Sequence, residues 1–278
     1  MKNLKPLISH RTALLGLLAL AMMFSYGVLA RAQATTHLRF SQDNYWMHPG
    51  DTATLSLIIT GASDMGGWET ALSFDTRLLT VSNTSGGDFL ASTGRTAQFM
   101  SFADAETPGV MALGGYSRGG TTGVDGAGVL AYVPIQAQAP GETLLELTAA
   151  RLAHPDGQLI NPQTVSSQSS RINIGYDLNA SIADIGNQQV QLDWTQPSED
   201  VNFDVWWNPS PYFYPGDTGS NDITLSCINN NGIVACLNSN ALGNPTTNHY
   251  YIVRTLDANG NLRSFSHLAE FDFALYTD

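Results

Sequence analysis

From residue 37 to about residue 175 the apolar residues fall in short runs with period two, each closed by Gly, Pro, Asn or Asp. In "GDTATLSLIIT" the residues Ala53, Leu55, Leu57 and Ile59 share one side; in "GVLAYVPIQAQA" Val129, Ala131, Val133, Ile135 and Ala137 do the same. Side chains alternate between the two faces of a strand, so such runs each bury one face. No run of comparable strength has a period of 3.6. Many short strands separated by turn residues specify an all-β sandwich. Pro134 lies inside the second run and has no N–H to give a ladder, which places it at an edge or a bulge. The glycine-rich segment Gly114 to Gly128 lacks the context of a phosphate-binding loop and reads as a connection between strands.

The stretch "GGWETALSFDTRLL" raises a functional question. Trp68, Thr70, Leu72 and Phe74 fall on the core side, whereas Glu69, Ala71 and Ser73 fall on the other. That second side is small, polar and flat, and is either idle surface or a docking surface.

The order of "HPGDTATLSLIITGA", "GWETALSFDTRLLTV", "GGDFL" and "TTGVDGAGVLAYVPIQAQAPGETLLELTAARLAHPDGQLI" over about half the chain resembles a cohesin domain. The resemblance implies a nine-stranded jelly-roll sandwich over residues 35–175. It also implies that one flat sheet face holds a dockerin, the calcium-binding module carried by polysaccharide-degrading enzymes. In dockerin-binding cohesins the matching strand carries an outward Asn and Asp. Gly67 and Glu69 occupy those places here, so a carboxylate is kept and an amide is lost. The face would then centre on Glu69, Ala71 and Ser73, with Tyr116 and Arg118 contributing from a neighbouring loop. The same fold is shared with carbohydrate-binding modules, so direct polysaccharide binding and a spacer role remain alternatives.

From Tyr176 the pattern becomes more aromatic. Val190, Leu192 and Trp194 alternate, as do Phe203, Val205 and Trp207. With Tyr251-Ile252-Val253 and the turn Asp257-Ala258-Asn259-Gly260, residues 176–278 resemble a fibronectin type III domain. This implies a second, immunoglobulin-like sandwich. Trp206, Tyr212, Phe213 and Tyr214 either form a platform for sugar rings or fold back over the core, and the second is expected because a small sandwich needs large apolar side chains. Asp257 to Asn261 resembles the start of a calcium loop, but Leu262 stands where the loop needs Gly and Leu268 where it needs Glu.

Residues 1–34 read as an export signal: Lys2, Lys5 and Arg11 precede the apolar run Ala13 to Ala30, followed by Ala-x-Ala triplets; at the short end of the length that spans a bilayer, the run leaves a retained membrane anchor as the lesser alternative. They carry four of the twelve basic residues and no acidic one, so the remainder has eight against twenty-four, a net charge of −16. A surface so acidic disfavours nucleic acid and anionic membranes as partners. In an exported chain Cys227 and Cys236, flanking an Asn231-Gly232 turn, are expected to pair as a structural disulfide contributing ~2–3 kcal/mol, rather than to bind metal. The histidines are scattered, with no metal-ligand spacing and no nucleophile elbow nearby. The expectation is a secreted, non-enzymatic binding module without cofactor or metal, in which calcium enters only with a dockerin-type partner.

Overall fold

The computed structural model describes residues 35–162, 165–198, 200–239, 241–242, 247–266 and 269–271, the last three by backbone alone. The expected signal segment, Glu199, His267 and Leu268 lie outside the described residues. All regular structure among the described residues is strand, apart from one short 3-10 turn at Phe89–Ala91.

The first twelve strands are β1 (Thr36–Phe40), β2 (Asn44–Met47), β3 (Thr52–Met65), β4 (Gly67–Ser73), β5 (Leu79–Val81), β6 (Ser85–Gly86), β7 (Thr96–Ala103), β8 (Val110–Arg118), β9 (Val124–Ala137), β10 (Gly141–Ala153), β11 (Val165–Gln168) and β12 (Ser170–Ile174). They form two sheets, β11-β1-β3-β9-β5 with β6 beside β9, and β2-β12-β10-β4-β8-β7. The alternation in β3 and β9 does the sorting. Leu55, Leu57, Ile59, Ala131, Val133 and Ile135 face inward onto Trp68, Leu72, Leu113, Leu145 and Ile172 of the opposite sheet, all buried in one core. Each fully buried Leu or Ile contributes ~1.5–3 kcal/mol. Pro134 sits opposite Thr54, and its carbonyl accepts the Ser82 N–H at 3.3 Å, in the break between β5 and β6 where no ladder needs its missing donor.

The glycine-rich segment is not one connection. Gly114 to Arg118 completes β8 and Val124 to Gly128 opens β9, so only residues 119–123 are loop. The sequence reads these glycines as a connection, but Gly115 is required by packing. A Cβ there would stand 2.9 Å from the indole nitrogen of Trp68. The loop is held by Arg95, whose buried guanidinium donates to the carbonyls of Ser117, Gly119, Gly120 and Thr122 and to the Ser117 hydroxyl.

The remaining strands are β13 (Tyr176–Leu178), β14 (Ala180–Gly186), β15 (Gln189–Thr195), β16 (Asn202–Asn208), β17 (Asn221–Asp222), β18 (Ser226–Asn230), β19 (Ile233–Asn238), β20 (His249–Leu256), β21 (Leu262–Ser266) and β22 (Ala269–Phe271). They build a sheet β13-β21-β20-β16-β17, with β22 beside β20, and a sheet β14-β15-β19-β18. A second core lies between them: Val190, Leu192, Trp194, Val205, Val234, Tyr251 and Val253. Burial pushes the Tyr251 phenol up to about 12, while Asn238 donates to its oxygen at 2.8 Å. Cys227 and Cys236 face each other across the β18–β19 hairpin and are bonded. Asn231 and Gly232 make its turn with φ of 53° and 87°, as a tight Asn-Gly hairpin requires. The cysteine segment is thus half of a sheet rather than an insert outside the sandwich. Asp257 accepts backbone N–H groups of Asn259 and Asn261 and the Asn261 amide, and these bonds hold its carboxyl below the usual value and close a turn.

Gly175 alone separates β12 from β13. Its N–H donates to the Met47 carbonyl at 3.0 Å, and a Cβ would meet the Phe265 ring at 2.8 Å. The two sandwiches therefore touch at once. Arg254, buried on β20, pairs with Asp204 of its own sheet at 2.5 Å and with Glu142 of the first sandwich at 2.8 Å.

Candidate functional site

Antiparallel register fixes what the outer face of the β10-β4-β8-β7 sheet presents. One row across the strands is Arg151, Glu69, Gly114 and Met100; the next is Thr148, Ala71, Ala112 and Phe102; the row on the other side is Ala153, Gly67, Tyr116 and Gln98. The middle of the face is therefore paved with Gly67, Ala71, Ala112 and Gly114, side chains that barely rise above the backbone. Met100 and Phe102 stand along one flank, and Arg151 and Leu159 along the other. The result is an open trough of about 370 Å³. Phe102 is 65% exposed and Leu159 67%, costly placements for a phenyl and an isobutyl group that nothing among the described residues covers. Gly114 is part of this shape: a Cβ there would stand 3.1 Å from the Trp68 carbonyl oxygen.

All five residues expected from the sequence point out of this one sheet. Glu69 and Tyr116 line the trough. Ala71 continues its floor opposite Ala112, Ser73 lies further along within 3.4 Å of Glu146, and Arg118 lies beyond Tyr116 with its guanidinium 5.5 Å from the phenol ring. Tyr116 and Arg118 do not come from a loop, as the sequence suggested; they are strand residues of β8, which runs five residues further than the glycines indicated. Glu69 meets Arg151 at 3.0 Å, both more than half exposed. Such a pair adds little to stability and is free to exchange partners.

Met100, Phe102, Arg151 and Leu159 were not anticipated. A signal existed for two of them. In "TAQFMSFA" Phe99 faces in, whereas Met100 and Phe102 face out, so the strand is apolar on both sides. A two-sided apolar strand at the edge of a sheet marks a surface made to be covered. Arg151 and Leu159 reach the trough only through strand pairing and a returning loop, which local sequence does not encode.

The aromatic loop divides. Phe213 is buried against Tyr250 and Ile252, and Tyr214 lies near-parallel to Trp46 with ring centres 6.1 Å apart, so both fold back as expected. Tyr212 does not: it is 87% exposed. Among the described residues no group of three His, Cys, Asp or Glu is placed to hold a metal ion.

No protein-family model matches the chain, and no curated protein does. Solved structures do. Half of the chain is similar to cohesin structures. A non-cellulosomal cohesin from Archaeoglobus fulgidus matches at 17% identity over 51% of this chain and 91% of that one, with a TM-score of 0.40. A type I cohesin–dockerin complex from Clostridium thermocellum matches at 10% identity over 50% and 93%, with a TM-score of 0.41. The seventh type I cohesin of a scaffoldin from Pseudobacteroides cellulosolvens matches at 13% over 51% and 92%, with a TM-score of 0.39.

Proposed function

We propose that the first sandwich is a non-catalytic protein-docking module of an exported chain, and that its partner is of the dockerin type. The observation that supports this is the trough. A floor of Gly67, Ala71, Ala112 and Gly114 admits the ridge of a helix, Phe102, Met100 and Leu159 supply apolar walls, and Glu69 and Arg151 offer one charge of each sign to fix its register. Polysaccharide suits this face less well, since Phe102 and Tyr116 stand on different strands two rows apart.

The test is capture of secreted proteins of the source cells on the immobilised chain, with and without a calcium chelator. The expected result is calcium-dependent capture of a protein bearing paired Asp-x-Asn-x-Asp-Gly repeats. Phe102→Ser removes an apolar anchor and is expected to weaken that binding roughly 30-fold, as loss of about 2 kcal/mol at an interface centre does. Ala71→Arg, which fills the floor without touching the core, is expected to abolish it. Binding that survives both substitutions would move the interface elsewhere.

A further inference from the structure

A second concave site lies where the two sandwiches meet. Trp46 on β2 and His48 just after it come from the first sandwich; Tyr212, Phe213 and Tyr214 from the loop between β16 and β17, and Phe265 from β21, come from the second. Together they enclose a cleft of about 270 Å³, room for one ring-sized unit at the small end of ligand pockets. The wall is mostly aromatic, completed by Ile252 and Ser266: Trp46 packs on Phe265 with ring centres 4.1 Å apart and lies within 12° of parallel to Tyr214.

Three features distinguish this cleft from leftover packing space. Tyr212 is among the most exposed large side chains described, and it holds a φ of +58°, a left-handed conformation that a bulky residue adopts only under constraint. The constraint is visible. Asn208 accepts the Ser210 N–H at 2.8 Å on one side of it, and Asp217 accepts the Tyr214 N–H at 2.8 Å on the other, while the Asp217 N–H returns to the Tyr214 carbonyl. A loop pinned at both ends thus holds a phenol out into water beside an aromatic wall. The third feature is polar. His48 on the cleft wall is fixed by Asp51 at 3.1 Å and Asp177 at 2.9 Å behind it, and Ser266 adds a hydroxyl to the lining.

The geometry points to a saccharide subsite in this cleft, with one sugar ring stacked on the aromatic wall under Tyr212 and its hydroxyls directed toward His48 and Ser266. A pyranose has an apolar C–H face and a hydroxyl rim, and this lining has the complementary parts. Anionic ligands are disfavoured by a net charge of −16 outside residues 1–34. An organic cation, the other ligand of aromatic cages, has no carboxylate within the lining to pair with, since the His48 ring stands between the cleft and Asp51 and Asp177. A proline-rich peptide needs a series of ring-lined slots, and the cleft is a single one.

The test is a tryptophan-fluorescence titration of the purified protein with cellohexaose, xylohexaose and chitohexaose, alongside choline and a proline-rich decapeptide. Saturation by at least one hexaose is expected. Tyr212→Ala, at an exposed position, should weaken it at least tenfold and Tyr212→Phe less than threefold, since stacking rather than the hydroxyl carries the contact. Phe102→Ser, in the trough, should leave it unchanged, which separates this site from the protein-docking face. Three results would overturn the assignment: no hexaose saturating up to about 10 mM, saturation that Tyr212→Ala leaves intact, or binding of choline or the peptide in place of the sugars.

Discussion

Arg254→Met is expected to destabilise the protein by about 3 kcal/mol and to lower its melting temperature by roughly 6–12 °C. Burial works against the charge on Arg254, and Asp204 and Glu142 more than offset it, so the guanidinium is held protonated in a site only about one-tenth exposed. Methionine restores the volume and leaves two carboxylates facing each other without a cation, one of them only 16% exposed. Because Glu142 and Asp204 belong to different sandwiches, the loss falls on their junction. Scanning calorimetry should show one transition in the parent and two partly resolved ones in the variant. A single transition shifted by less than about 2 °C would mean that the ion triad is dispensable. Glu142→Gln, which keeps a hydrogen-bond acceptor for Arg254, should cost about 1 kcal/mol.

Arg95→Met should have an effect of similar size by a different route. Arg95 neutralises no carboxylate; it donates to four backbone carbonyls and one hydroxyl, and so supplies the hydrogen bonds that the glycine-rich connection between β8 and β9 cannot make for itself. Bonds from a charged donor contribute ~1.5–3 kcal/mol each but are not additive in a cluster, so the net loss is expected at about 3 kcal/mol in urea unfolding. The distinguishing readout is hydrogen exchange. Amides of residues 119–123 should lose protection more than those of β3 or β9, where the core is untouched. Arg95→Lys, with a point charge in place of the fork, should recover less than half of the loss. Uniform loss of protection would mean that Arg95 supports the sandwich as a whole rather than its loop.

The fold was legible wherever one strand buries one face. β3 and β9 announce themselves by Leu55, Leu57, Ile59, Val133 and Ile135, and the outward side of β4 follows from Trp68 and Leu72 facing in. The Asn231-Gly232 hairpin and its disulfide were equally local. Legibility failed where glycine carries a packing role. Gly114 and Gly115 look like loop residues in sequence, but one keeps the floor of the trough low and the other makes space for the Trp68 indole. It failed again wherever a contact joins distant segments. Glu69 meets Arg151 across 82 positions and Arg254 meets Glu142 across 112. Neither pairing leaves a periodic trace. Tyr212 was grouped with Phe213 and Tyr214 because composition alone does not say which ring in a run is turned outward; a positive φ at one residue does.

A tandem binding protein ordinarily gains avidity from a tether, whose length sets how wide a volume the second site explores and how concentrated it becomes near the first. The two sites proposed for this chain have no such tether. With Gly175 as its whole connection, the trough on β4 and β8 and the cleft beside Trp46 are carried as two marks on one ruler. A complex that engages both must match their spacing and direction from the outset, and one that does so meets no search to complete and no slack to take up when the assembly is pulled.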